Sequence, residues 1–198
     1  MKGMFVVFEG IDGSGKSSVC MDLHDRLVSD GMNAILTAEP TKDDIGMLIR
    51  SCAVKNISAE TEALLFVADR ANHTLKIKEW IDDGNIVICD RYYASTLAYQ
   101  AASVDGTGLD MKWLTELNRP VIMEPDVTFL LDVDPKIGMD RVRARGQLSK
   151  FESVEYLSEV RKNYLDIAEK NKFEVVDANL PLAKMTEKIY EILKTRMK

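Results

Sequence analysis

The sequence predicts a three-layer α/β fold, with a five-stranded, mostly parallel sheet covered by helices on both faces. Two observations predict it. Five short apolar runs rich in β-branched residues alternate with longer helix-like segments, the alternation that builds parallel sheets. Polar signatures also follow four of the runs, reading GIDGSGKSS, EPTKDD, DRYYAST and DVDP. Open parallel sheets carry their ligands there, at the C-terminal strand ends.

The runs MFVVFE (4–9), NAILTA (33–38), NIVICD (85–90), VTFLLDV (127–133) and FEVVDA (173–178) are continuous rather than alternating. That pattern fits strands buried on both faces. Helical patterns cover about 15–30, 43–53, 58–83, 92–104, 110–119, 135–146, 152–171 and 181–197. Pro135 and Pro181 stand near helix starts, where a missing N–H costs little, and Gly31 and Gly84 follow helix ends. Val104–Leu109 has few anchors and reads as a loop. No repeat or low-complexity linker interrupts the chain, so residues 1–198 read as one domain.

Composition narrows the classes. With 198 residues and 46% hydrophobic content the chain can bury one sizeable core. Its 26 basic against 32 acidic residues give a net charge of −6, which argues against a broad nucleic-acid surface. Cys20, Cys52 and Cys89 are far apart and form no CxxC pair, so free buried thiols are expected rather than a zinc site or disulfides. Two histidines cannot build a His cluster. No apolar run is long enough to span a membrane, and Glu9 interrupts the N-terminal run too early for a signal peptide. A cytoplasmic protein is expected.

GIDGSGKS, residues 10–17, fits the phosphate-loop pattern G-x-x-x-x-G-K-[ST] in full, between a strand and a helix. Gly10, Gly13 and Gly15 let the backbone turn tightly and aim its N–H groups inward. The helix that follows adds its positive dipole end. Lys16 is placed to reach the outer phosphates and Ser17 to coordinate Mg²⁺. The loop could serve a switch, a motor or a transferase. TKDD (41–44) and DGTG (105–108) resemble guanine-nucleotide motifs, but stand in the wrong order; they read as a helix start and a turn. No further motor signature is present, which leaves transfer to a small acceptor.

On the acceptor side, Asp90 ends the third strand and can hold Mg²⁺. Arg91 next to it offers a planar fork suited to a phosphate monoester. An acceptor that is itself a phosphate needs a cationic clamp and no strong base, because its oxygens are already ionised. Alone, Asp90-Arg91 also fits a structural ion pair. Phe66 and Arg70 share a helix face at i, i+4; they suit a stacked, edge-bonded base, and equally a core Phe with an arginine passing it. Arg141, Arg143 and Arg145 crowd one helix end, where cations also favour the dipole.

Taken together, FEGIDGSGKSS (8–18), Glu39-Pro40, FVADR (66–70), DRYYASTLAYQ (90–100), LDVDP (131–135) and RARGQLSKFE (143–152) resemble thymidylate kinases in order and spacing, across most of the chain. The resemblance implies a P-loop, nucleoside-monophosphate-kinase-like fold and transfer of the ATP γ-phosphoryl to dTMP, with Mg²⁺ held at Ser17 and Asp90. It implies an ATP site of Gly10, Asp12, Gly13, Ser14, Gly15, Lys16, Ser17 and Ser18, with Arg141 and Arg145 above it. For dTMP it implies Phe66 stacked on thymine, Arg70 on an exocyclic oxygen, Arg91 on the phosphate and Tyr99 against the 2′ position. Thr96 and Gln100 fall near the base, Asp12 near the sugar and phosphate, and Glu39 at a pocket carboxylate position. The family is commonly homodimeric.

Residues 141–152 resemble the LID that closes over ATP. Some relatives carry a transition-state arginine at the position of Gly13; those with glycine there usually place it in the LID. Here the aligned LID position is Lys150, which lacks the planar fork, so Lys150 or Arg145 is expected to supply the charge. Three rivals stay open: a deoxynucleoside kinase, with Glu39 as base for a hydroxyl acceptor, another nucleoside monophosphate kinase, for example one preferring dUMP, and a non-catalytic nucleotide sensor on the same fold.

Overall fold

The computed structural model describes residues 2–51, 57–144 and 153–197. Five strands form one sheet: β1 (Met4–Glu9), β2 (Ala34–Ala38), β3 (Ile86–Asp90), β4 (Val127–Asp132) and β5 (Glu174–Asp177). All pairings are parallel, in the order β2-β3-β1-β4-β5. The three central strands are buried almost throughout, and edge strands β2 and β5 are partly exposed. Continuous apolar runs therefore fill the middle of the sheet, as expected of strands covered on both faces.

Eight helices are described: α1 (Lys16–Ser29), α2 (Asp44–Arg50), α3 (Ala59–Asp82), α4 (Tyr93–Gln100), α5 (Met111–Asn118), α6 (Pro135–Ala144), α7 (Val154–Asn171) and α8 (Leu182–Arg196). Helices α1 and α8 pack together, with α1 against β1, β2 and β3; α3 packs on β1 and β3, α7 on β4, and α4 bridges α3 and α7. Phe8 and Phe129 stack in the core with ring centroids 5.3 Å apart.

Three helix starts carry side-chain caps. Ser58, Asp110 and Ser153 accept from Thr61, Trp113 and Tyr156 N–H groups. Helix α1 has Gly15 at its N-cap and no side-chain cap, which leaves its first amides to a ligand. The predicted helix over 92–104 ends at Gln100. The cause is the return of the chain: Leu109 N–H bonds Gln100 O at 2.8 Å, and a Cβ on Gly108 would lie 2.4 Å from Ala101 O. Around Gly106 the loop turns on itself, with Thr107 bonded to Asp105.

The chain leaves β1 toward β2 and leaves β3 toward β4, so its connections diverge between the C-terminal ends of β1 and β3. Such a switch point opens a crevice for a ligand. GIDGSGKSS follows β1 and Arg91 follows β3. Among the described residues no helix is long and apolar enough to cross a membrane.

Candidate active site

Two cavities meet the loop at Asp12 and at its glycines, and a third, about 470 Å³, meets it at Ser17 beside Asp90. The first, about 210 Å³, is lined by Asp12, Glu39, Phe66, Arg70, Arg91, Thr96, Tyr99 and Gln100, together with Pro40, Glu62, Tyr92 and Ser95. All eight acceptor-side positions read from the sequence therefore face one space. They arrive from five places: the loop after β1, the end of β2, α3, the end of β3 and α4. The second cavity, about 370 Å³, lies against Gly13, Ser14, Gly15, Ser18 and Arg141, and is closed by residues 178–182 and Met185.

Lys16 is 5% exposed and folds over the loop. Its Nζ donates to the carbonyls of Gly10 and Ile11, each at 2.9 Å, and to Ser14 Oγ at 3.3 Å. Burial, reinforced by the nearby Arg91 charge, pulls its pKa down to about 8. Gly13 takes φ +80, and a Cβ there would lie 2.0 Å from Gly138 O on α6. A side chain cannot occupy that space without moving α6, so this loop has no room for a cation at position 13.

Arg91 sits at φ +73, a backbone region that costs a non-glycine residue free energy and is often kept at functional positions. Its NH2 donates to Asp12 Oδ1 at 2.5 Å, and its NH1 to Ser95 Oγ at 3.2 Å and Gly10 O at 3.3 Å. The guanidinium also lies 5.3 Å from the Tyr99 ring centroid. Burial works against the Asp12 charge, yet Arg91 and Lys16 outweigh it and hold the carboxyl below its usual range. The Tyr99 hydroxyl accepts the Asp12 N–H at 3.0 Å; burial pushes its pKa up to about 12.

The floor of the first cavity is a buried ion-pair cluster. Arg70 is 1% exposed. It donates to Glu39 Oε2 (2.8 Å), Asn118 Oδ1 (2.5 Å), Thr96 Oγ1 (3.1 Å) and Tyr92 O (3.2 Å). Glu39 Oε1 lies 3.0 Å from His73 Nδ1, whose Nε2 lies 2.7 Å from Thr37 Oγ1. Both Glu39 oxygens are thus engaged. Thr96 orients Arg70, Gln100 donates to Glu62 at 3.0 Å, and Phe66 is half-buried on the cavity wall.

Ser17 Oγ donates to Asp90 Oδ2 at 2.5 Å. Asp90 Oδ1 is buried without a hydrogen-bond partner among the described residues. A hydroxyl beside an orphaned carboxylate oxygen suits a hard cation whose other ligands come from phosphates and water. No cluster of three acidic, His or Cys side chains that could cage a metal occurs among the described residues. Cys20 and Cys89 are buried free thiols, as expected; Cys52 lies outside the described residues.

Arg141 differs from the expectation of a side chain reaching for nucleotide. Its NH1 donates to the backbone carbonyls of Gly13 (3.3 Å) and Ala178 (3.1 Å), tying α6 to the loop while lining the second cavity. Arg143 is exposed. Arg145 and Lys150 lie outside the described residues. Sequence reasoning missed Glu9, Ser95 and Tyr164 as site residues. Glu9 and Ser95 stand inside the quoted motifs FEGIDGSGKSS and DRYYASTLAYQ, and Glu9 also shows as a charged residue closing an otherwise apolar strand; Tyr164 carries no local signal.

Comparison with known proteins identifies the family. The thymidylate kinase family model matches residues 8–189. A probable thymidylate kinase of Pyrococcus abyssi is 42% identical over 204 residues, covering 98% of this chain and 97% of the relative. That of Thermococcus kodakarensis is 44% identical over 178 residues, covering 84% of each. That of Archaeoglobus fulgidus is 36% identical over 193 residues, covering 97% and 95%. With a family model over residues 8–189 and relatives matched over nearly its whole length, the chain belongs to the thymidylate kinase family.

Proposed function

We propose that the first cavity takes dTMP and the loop takes ATP, so that the chain moves the ATP γ-phosphoryl to dTMP, giving dTDP and ADP on the route to dTTP. One observation carries the geometric reading. The Gly10 carbonyl receives both Lys16 Nζ at 2.9 Å and Arg91 NH1 at 3.3 Å. The cation of the donor site and the cation of the acceptor site meet at one oxygen. Two phosphate ends repel each other, and cations fixed between them stabilise the charge that develops in transfer.

The carboxylates support the same acceptor. Glu39 spends both oxygens on Arg70 and His73, and Asp12 is held low and paired to Arg91. Glu39 therefore has no free oxygen for a hydroxyl proton, and the lowered pKa of Asp12 makes it a weak base for one, whereas a deoxynucleoside kinase requires a base. In this reading Phe66 stacks on thymine above the Arg70 floor, Thr96 and Gln100 meet the base edge, and Tyr99 crowds the 2′ position.

The ATP adenosine end would occupy the second cavity beside Ser18 and Arg141. Ser17 and Asp90 would hold Mg²⁺, which when bound neutralises the β- and γ-phosphate oxygens. With no room for a cation at Gly13, Arg145 or Lys150 remains the source of the transition-state charge. The chain is proposed to work as a cytoplasmic homodimer, without nucleic-acid or membrane partners.

The test is ADP release with ATP and a panel of dTMP, dUMP, dGMP and thymidine. Turnover with dTMP and loss of at least ~10²-fold in kcat/KM in Arg91→Ala are expected. Turnover only with thymidine would remove the acceptor assignment, and binding of both nucleotides with no turnover would favour a sensor.

A further inference from the structure

Glu9 closes β1 next to Gly10 and takes no part in the substrate contacts proposed above. It is fully buried, yet its carboxylate collects four donors. Oε1 accepts from Tyr92 N (2.9 Å) and Ser95 N (3.2 Å), and Oε2 from Ser95 Oγ (2.6 Å) and Tyr164 OH (3.1 Å). The two backbone donors belong to the start of α4, whose N-cap Tyr92 supplies no side-chain cap. Glu9 thus caps α4 from 83 residues earlier in the chain.

The same carboxylate reaches Arg91. Ser95 has one hydroxyl proton and gives it to Glu9, so the lone pairs of Ser95 Oγ face Arg91 NH1, 3.2 Å away. The backbone of Arg91 is pinned on both sides. Its N–H bonds Phe8 O at 2.9 Å, Cys89 Sγ donates to its carbonyl at 3.0 Å, and the next N–H is the one Glu9 holds. A non-glycine residue at positive φ persists only when its surroundings over-determine it, and Glu9 supplies part of that determination. Burial pushes the Glu9 carboxyl upward, opposed by Ser95, Arg91, Tyr92 and Tyr164. A carboxylate at this depth is costly unless it is hydrogen-bonded, and the groups that bond this one are the start of α4, Ser95 and Tyr164, the same groups that surround Arg91.

We propose that Glu9 is a positioning residue for the acceptor arginine, holding Arg91 through Ser95 and the first amides of α4, with Tyr164 of α7 as the strut behind it. The inference rests on the reading of Arg91 as the dTMP phosphate clamp. It makes one strand end carry both the Gly10 carbonyl where the two cations meet and the carboxylate that aims one of them. It also links α7 to the acceptor side, since Tyr164 OH lies 2.8 Å from Ser95 Oγ.

The test is calorimetric binding of dTMP and of ATP to the full chain, with folding checked by thermal melting. Glu9→Gln keeps the shape, removes the charge and turns one acceptor into a donor, so the Ser95 hydroxyl can no longer give its proton to that atom and loses the orientation that presents its lone pairs to Arg91. Its dTMP Kd is expected to rise ~10-fold or more, the scale of a hydrogen bond to a charged group, with the ATP Kd within about twofold. Tyr164→Phe should shift dTMP in the same direction by less. In an Arg91→Ala background Glu9→Gln should add nothing, the coupling expected of residues acting as a unit. Equal loss for both nucleotides, full additivity with Arg91→Ala, or an unchanged dTMP Kd in folded Glu9→Gln would overturn the proposal. If Arg91→Ala itself leaves dTMP binding intact, the clamp reading falls; if Arg91→Ala is damaging and Glu9→Gln silent, only the Glu9 role falls. Should Glu9→Gln not fold, Tyr164→Phe takes its place, since Tyr164 bonds Glu9 and is absent from the lining of the acceptor cavity: a rise in the dTMP Kd alone supports the proposal, and an unchanged dTMP Kd overturns it.

Discussion

Lys16 shows how much of a residue's behaviour its type leaves open. The motif marks it as the phosphate lysine, but only the fold shows it buried on its own loop's carbonyls, with a pKa of about 8. The protonated form is the one that attracts phosphate. Raising the pH through about 8 in the nucleotide-free enzyme therefore discharges Lys16, and kcat/KM for ATP should fall there, well below the usual lysine range. A plateau extending past about pH 9.5 would contradict this. Phe66 gives a second expectation at this scale. It lines the acceptor cavity and is absent from the lining of the second cavity. Phe66→Ala should weaken dTMP binding ~10-fold or more, the scale of a lost aromatic stack, and leave ATP binding nearly unchanged. Equal weakening of both would contradict base stacking. Arg70 is legible as a cavity residue from its i, i+4 spacing to Phe66. Its four protein partners are not, because Asn118 and Glu39 come from elements 48 and 31 residues away.

Strands and helices are legible in the sequence where local pattern decides them. Buried strands declare themselves by continuous apolar runs, and β1 and β3 begin and end within a residue of the expected bounds. The end of α4 is not legible, because the stop comes from Gly108 packing on Ala101, a contact that periodicity cannot contain. Position 13 is a similar case, since the family resemblance leaves the transition-state cation to be expected either there or in the LID. In this fold the room is closed: Gly13 and Gly138 meet backbone to backbone, and a Cβ on Gly138 would itself lie 2.7 Å from Asp12 O. Gly13→Arg is therefore expected to displace α6, lowering the melting temperature and kcat together rather than supplying the missing charge. Gly138→Ala, with the smaller clash, should raise KM for ATP several-fold. A fully active, fully stable Gly13→Arg enzyme would show that α6 yields easily and that the glycine contact sets no limit on the loop.

For the whole molecule the exposed surface is more informative than the core. Helix α3 buries Ala63, Val67, Arg70, His73 and Ile77 on one side, yet Leu64 is 49% and Leu75 64% exposed on another. These two are eleven residues apart, about three turns, and so lie on one face. Ala68 and Ala71 fall between them, small enough for a second helix to approach closely. Met47 and Leu48 on α2, which packs against α3, are exposed as well. A helix with two apolar sides is normally buried on both, and a second copy of this chain is the occupant that the proposed homodimer supplies. The sequence could not name this face, because leucine spacing is the same whether it meets a sheet or a partner. Only once the sheet has claimed one side of α3 is the remaining side identifiable. The double variant Leu64→Glu, Leu75→Glu places two charges on that face and should convert a dimer to a monomer in sedimentation, while each chain retains its fold. Arg70 and Phe66 stand on the same helix, so the loss of its partner should also loosen the dTMP cavity and raise KM for dTMP more than for ATP. A variant that stays dimeric would place the interface elsewhere, and a wild-type chain that sediments as a monomer would leave the α3 stripe without this occupant.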